Sequence, residues 1–198
     1  MTIPGYRAIY NVLHFGVTVT LIEEKVLMKE DKSLKEKAKM TTHKRKAVEY
    51  FNSGFLCSQA VLAAFAPECG LTEEQALKLG SCFGTGMRKG EVCGACSGAL
   101  MVLGLLFGQH DCNDKESRMK INSVNDKMLE RFAEINGSYL CNNLLGCDVR
   151  TKDGINYARN NHLFTEFCPK MVASAVEVLE SIMEEDQANP YSSRNLLK

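Results

Sequence analysis

The stretch Phe83–Gly108, FGTGMRKGEVCGACSGALMVLGLLFG, decides how the chain is read. It opens as a glycine-rich loop. A helix is predicted to start at Glu91, which puts Cys93 in its first turn and Cys96 three residues later on the same face. Gly94, Ala95, Ser97, Gly98 and Ala99 are small, so another backbone or a cofactor can come close. From Leu100 the sequence turns strongly apolar and stops at Gly108. The stretch reads as a buried helix whose first turn presents sulfur, where the positive end of the helix dipole favours the thiolate.

Upstream, Thr72 and Gln75 form a capping box for a helix carrying Ala76, Leu77 and Leu79, which runs to the Gly84–Gly90 loop. That loop is expected to cover the Cys93 site, with Arg88 and Lys89 in solvent. A helix beginning around Phe55–Ser58 holds Cys57 at its start and is closed by Pro67 and Gly70. Before it, Thr41 and Thr42 cap a helix that Asn52-Ser53-Gly54 ends. Downstream, Asp114 caps an amphipathic helix with Met119, Val124, Met128, Phe132 and Ile135 in it, and Asn136-Gly137 stops it. Ser138 caps a short helix, Tyr139 to Leu145, that carries Cys141. Lys152-Asp153-Gly154 is expected to turn the chain into a further helix with Ala158 and Arg159. Cys168 precedes Pro169, which places it at the N-cap of the last helix, Met171 to Ile182. From Asp186 on, the polar tail is expected to fray.

No run with period two follows residue 28, so the fold class is all-α: a single helical bundle with short loops over residues 41–184. Residues 1–40 read as a loosely attached N-terminal extension or linker, and 185–198 as a flexible tail. The chain has 198 residues and a formal net charge of zero, which supports no nucleic-acid interface. The apolar run Ala8–Ile22 is too short to span a bilayer and lacks a signal-peptide pattern. Nine cysteines, an odd number without the density of a secreted scaffold, point to free or metal-bound thiols in a reducing, cytoplasmic setting. Cys69, Cys82, Cys112 and Cys147 are read as small buried hydrophobes. The histidines show no ligand spacing, and no hydrolytic triad or carboxylate pair stands out.

Cys57, Cys93, Cys141 and Cys168 each fall at the predicted start of a separate helix. If the bundle gathers those starts, four thiols share a field of helix dipoles and free N–H groups, which lowers thiol pKa values. Four thiolates suit an iron–sulfur cluster or a tetrahedral zinc ion. Cys93 and Cys96 also form a CxxC pair able to cycle through a disulfide, although Cys96 reads first as a small core residue and no βαβ pattern surrounds the pair.

Four segments carry a family resemblance. FLCSQAVL around Cys57, CGACSG at residues 93–98 continuing as GALMVLGL, CNNLLGCD from Cys141 and FCPKMV around Cys168 resemble the redox-active protein family with the pattern C…CGAxxG…C…C (C_GCAxxG_C_C). The likeness spans residues 44–184. It implies a redox protein without an assigned substrate, with Cys57, Cys93, Cys141 and Cys168 as the ligand set of an iron–sulfur centre. Part of the family is similar to split-Soret cytochromes, which carry haems and an iron–sulfur centre. The absence of CxxCH here predicts no covalent c-type haem. The expected function is electron transfer, or service to a partner oxidoreductase or electron carrier. The alternatives are a metal-free thiol/disulfide protein using Cys93 with Cys96 or another cysteine, and a zinc-stapled structural module. The apolar Val102–Phe107 segment serves either the core or a homodimer face.

Overall fold

The computed structural model describes residues 41–188, so the expected N-terminal extension lies outside the described residues. Helices α1 (Thr42–Asn52), α2 (Cys57–Ala64), α3 (Glu73–Gly80), α4 (Gly94–Phe107), α5 (Lys115–Asn136), α6 (Cys141–Leu145), α7 (Lys152–Asn160) and α8 (Cys168–Ala188) follow one another. Two wide turns, Gly86–Gly90 and Leu163–Phe167, precede α4 and α8. Among the described residues there is no strand, and the only β-type pairing is the isolated bridge between Val92 and Leu140. The fold is all-α.

Local chemistry sets several boundaries. Thr72 accepts the Gln75 N–H at 3.2 Å while the Gln75 side chain accepts the Thr72 N–H at 2.9 Å, closing the capping box of α3. Asp114 accepts the Ser117 N–H at 2.9 Å and so caps α5, and Gly137 ends that helix at φ 84°. Two boundaries differ from expectation. Lys152-Asp153-Gly154 is the first turn of α7 rather than a turn before it, because Thr151 Oγ1 takes the Gly154 N–H at 3.0 Å and starts the helix there. The last helix runs past Asp186 to Ala188, since Asp186 is buried and pairs with Lys120 of α5 instead of fraying into solvent.

Helix α1 packs on α2 and α8, α2 on α3 and α4, α4 on α5, and α5 on α8. Phe65, Leu103, Phe132 and Leu179 are fully buried at the centre, with Val61, Leu62, Val102, Met128, Val172 and Val176 around them. The small residues of α4 explain how closely α2 lies. A Cβ at Gly98 would stand 2.7 Å from the Ser58 carbonyl oxygen and 2.9 Å from Val61 Cβ. Ser58 is itself buried and donates to the Gly80 carbonyl at 2.7 Å, and Gln59 donates to Leu77 at 2.8 Å. The helix that starts at Cys57 is thus pinned between α3 and α4. No helix among the described residues is long and apolar enough to cross a membrane.

Candidate functional site

Each of the four matched cysteines stands at a helix start. Cys57, Cys141 and Cys168 are the first residues of α2, α6 and α8, and Cys93 is the N-cap of α4. Cys168 has helical backbone angles, φ −58° and ψ −37°, so it is not the extended N-cap that Pro169 suggests. The wide turn Leu163–Phe167 feeds directly into α8, and the Cys168 N–H is taken by the Leu163 carbonyl.

The start of α4 also differs from expectation. Glu91 and Val92 are not helical. Val92 pairs antiparallel with Leu140, and the bonds flanking that pair are the Cys93 N–H to the Tyr139 carbonyl at 2.8 Å and the Cys141 N–H to the Glu91 carbonyl at 2.7 Å. Those backbone groups cannot join helix α4 and this ladder at once, so the helix begins at Gly94. The bridge ties Cys93 and Cys141 together through their own amides. Gly94 does the same for Cys57: a Cβ there would lie 3.3 Å from Cys57 Cβ. A Cys141–Leu145–Val149–Cys168 cluster, with Phe164 and Phe167 against it, joins the last two.

The result is one cavity of about 970 Å³ whose wall includes Cys57, Cys93, Cys141 and Cys168. Each of these thiols is free. Their electrostatics divide three against one. Burial, followed by the nearness of the Cys93, Cys168 and Cys141 thiols, holds the Cys57 pKa well above the ordinary thiol value, and the Thr85 backbone N–H acts against that rise. Burial pushes Cys141 and Cys168 up to about 12, with Cys93 as the largest like-charge contribution to each. Cys93 moves the other way. The Cys96 thiol, hydrogen-bonded to it, and the backbone N–H groups of Ala95 and Cys96 favour its thiolate over the opposing effect of burial. Cys93 makes no strict side-chain cap bond, so these amides act as oriented dipoles at the start of α4. The expectation that every helix start lowers its thiol therefore holds for Cys93 alone. At the other three, desolvation and mutual repulsion outweigh the dipole.

Cys96 is fully buried in the main core and donates its proton toward Cys93, so its own pKa is raised. It is at once a core residue and the partner of the Cys93 thiolate. The remaining cysteines differ from the small-hydrophobe reading: Cys82 and Cys112 are exposed, and Cys69 and Cys147 half-buried. Cys82 follows the end of α3, and Cys112 sits in the polar turn that Asp111 closes onto the Asn113 N–H at 2.9 Å.

Two supports of the site left no mark that residue types alone reveal. The loop expected to cover Cys93 lines the cavity through Thr85, Met87, Arg88 and Lys89. It does so in a left-handed turn, with φ values of 53°, 55° and 59° at Thr85, Met87 and Arg88 and Gly86 between them at 57°. This conformation costs roughly 1–2 kcal/mol per non-glycine residue. The second support is the bend after α6. Asn142 accepts the Val149 N–H at 3.0 Å, and Asp148 grips Arg150 at 2.8 Å through both carboxylate oxygens. That grip holds the Asp148 carboxyl well below the usual carboxylate range.

The donor chemistry fits a thiolate-bound centre: four thiols border the cavity, and no carboxylate among the described residues lines it. Among the described residues, no group of three or more His, Cys, Asp or Glu side chains is gathered closely enough to hold a single metal ion. Comparison with curated proteins and with solved structures yields no match. The match that does exist covers residues 55–182, from the start of the Cys57 helix to the middle of α8. By that match the chain belongs to the family described as putative redox-active protein (C_GCAxxG_C_C).

Proposed function

We propose that this protein is an electron-transfer or accessory redox protein that binds an iron–sulfur cluster through Cys57, Cys93, Cys141 and Cys168. The observation that carries this reading is the meeting of four thiols, from four separate helix starts, around one cavity. Four thiols around one cavity suit an iron–sulfur cluster, with tetrahedral zinc as the other four-sulfur occupant. Bound there, a cluster would supply one-electron chemistry. The chain would supply four sulfurs, the Thr85 N–H toward Cys57, and the Ala95 and Cys96 N–H groups toward Cys93. Amides aimed at sulfur are a recognised way of setting a cluster's potential. A reducing, cytoplasmic compartment and a partner oxidoreductase or electron carrier belong to the same reading.

The test is protein purified without oxygen, with visible absorption, iron, zinc and acid-labile sulfide measured on one sample. Broad visible absorption with matching iron and sulfide is expected. Single Cys→Ser changes at positions 57, 93, 141 and 168 should each abolish it, and Cys69→Ser should not. Full colour in Cys168→Ser would sink the four-ligand version, and stoichiometric zinc without sulfide would favour the structural module.

A second reading has its own observation. The Cys96 thiol bonded to a Cys93 whose thiolate is favoured is the arrangement of a metal-free dithiol, with Cys93 as attacking sulfur. It predicts colourless protein that loses two thiols on mild oxidation, with both lost from reach in Cys93→Ser.

A further inference from the structure

The cysteines occupy only part of the cavity wall. The rest combines apolar side chains, some of them also packed against the cluster that holds Cys141 and Cys168, with a group of cations. Phe51, Phe55, Met87, Ile155 and Phe164 present apolar surface, and Phe55 and Met87 remain substantially exposed, at 36% and 45%. Arg88, Lys89, Arg150 and Arg159 add four cations, and among the described residues no Asp or Glu lines the cavity.

Arg150 already has its partner in Asp148. Arg88, Lys89 and Arg159 enter no ion pair with a carboxylate among the described residues, although exposed acids such as Glu91 and Glu166 lie within a few residues of them in the chain. Two of these three cations sit on the left-handed turn, where Arg88 itself has φ 59°. The same turn that lines the Cys93 site brings Arg88 and Lys89 to the cavity wall. The turn fixes where the charge stands.

We propose that the cavity is a binding site for an amphipathic organic anion. Its carboxylate, sulfonate or phosphate group would be held by Arg88, Lys89 and Arg159, and its apolar or aromatic body would lie along Phe51, Phe55 and Phe164. A volume of about 970 Å³ is within the range that encloses a small organic molecule. Guanidinium groups match such head groups with paired N–H donors. The inference shares with the redox reading the premise that this cavity is the working site, and it names the class of molecule that would meet the centre. It needs no cluster to be present.

The test compares two probes of one shape by titration calorimetry on the whole protein: naphthalene-1-sulfonate and the neutral naphthalene-1-sulfonamide. The sulfonate should bind one to one, at least about ten-fold tighter than the sulfonamide at low salt, with the gap narrowing as salt screens the charges. Arg88→Gln, Lys89→Gln and Arg159→Gln combined should erase that preference while leaving the sulfonamide affinity unchanged. Lys115→Gln, an exposed cation outside the cavity wall, should leave it intact. The three substituted residues are exposed and enter no ion pair among the described residues, so folding should survive, and near-ultraviolet circular dichroism checks that it does. Equal binding of the two probes, no binding of the sulfonate at millimolar concentration, or a preference that persists in the triple variant would overturn the proposal. Iron and sulfide measured on the same samples keep the two readings apart. Coloured protein without the sulfonate preference overturns the anion site alone, and colourless protein that keeps the preference overturns the cluster alone.

Discussion

Helices α1, α2, α4, α5 and α8 close around side chains such as Phe65, Leu103, Phe132 and Leu179, all fully buried. The cavity end is assembled differently. It is made of a five-residue helix, an isolated bridge and two wide turns, one of them left-handed, with thiols in the places where a core would put hydrocarbon. In the first region the large apolar side chains at the centre pack as their helical spacing requires. In the second, Thr85, Met87 and Arg88 hold backbone angles that L-residues disfavour, and burial and the nearness of other thiols hold three thiols above their ordinary pKa. The difference teaches where each kind of free energy sits. The bundle stabilises the fold, and that surplus holds strain and unscreened polarity where the chemistry is expected.

The sharpest way to break this division is to remove the bundle's support. Phe132→Ala should cost about 3–5 kcal/mol of global stability, read by urea unfolding. Because the cavity end has no large core of its own, its thiols should then become reactive together with the unfolding of α5 and α8. Protection of Cys141 in unfolded bundle would show that the two regions are independent.

Raising the pH attacks the other region. A thiol whose folded pKa lies above its ordinary value keeps its proton in the native state while the unfolded chain loses it. Its stabilisation is complete below the ordinary value of 9.0 and declines as pH rises toward about 12, the position of Cys141 and Cys168. Reduced, metal-free protein should therefore lose about 3 kcal/mol between roughly pH 7.5 and pH 10 from these two groups together. Cys57 shifts in the same direction and adds to the loss. Cys93 has the opposite sign, since its thiolate stabilises the fold above the ordinary thiol pKa and that contribution fades as pH falls through its lowered value. A flat profile across this range would mean the thiols are not enclosed as described. Loading the site should flatten it too, because bound thiolates no longer titrate.

The smallest effect tests the strain itself. Thr85 is β-branched at φ 53°. Thr85→Gly should stabilise the fold by up to about 1 kcal/mol, the relief of a left-handed conformation less the added freedom of glycine in the unfolded chain. The N–H toward Cys57 is retained, so any cluster signature should persist. A destabilised variant would show that the Thr85 side chain, rather than its backbone, holds the turn.

Much of the bundle was legible because its signals are local. Thr72 with Gln75, Asp114, and Gly137 each act on atoms within four residues, so spacing alone locates the helix ends. The four cysteine positions at helix starts were legible for the same reason. What residue types and spacing could not supply was set by distant partners. Cys82 and Cys112 proved exposed because burial depends on what covers a residue rather than on its hydrophobicity. Asp186 looked like the start of a frayed tail until Lys120, on another helix, gave it a buried partner. The Val92–Leu140 bridge is one residue pair long and leaves no period in the chain, yet it moves the start of α4 from Glu91 to Gly94. The pKa pattern follows the same rule. A helix dipole belongs to the local sequence and acts at Cys93, whereas desolvation and the nearness of other thiols arise only when the four segments meet, and at Cys57, Cys141 and Cys168 they prevail. By itself the sequence determined most of the helices, the caps at Thr72 and Asp114 and the placing of sulfur near helix starts, because those depend on neighbours in the chain. The tertiary structure decided which thiol is favoured as thiolate and where the cations stand, because those depend on neighbours in space.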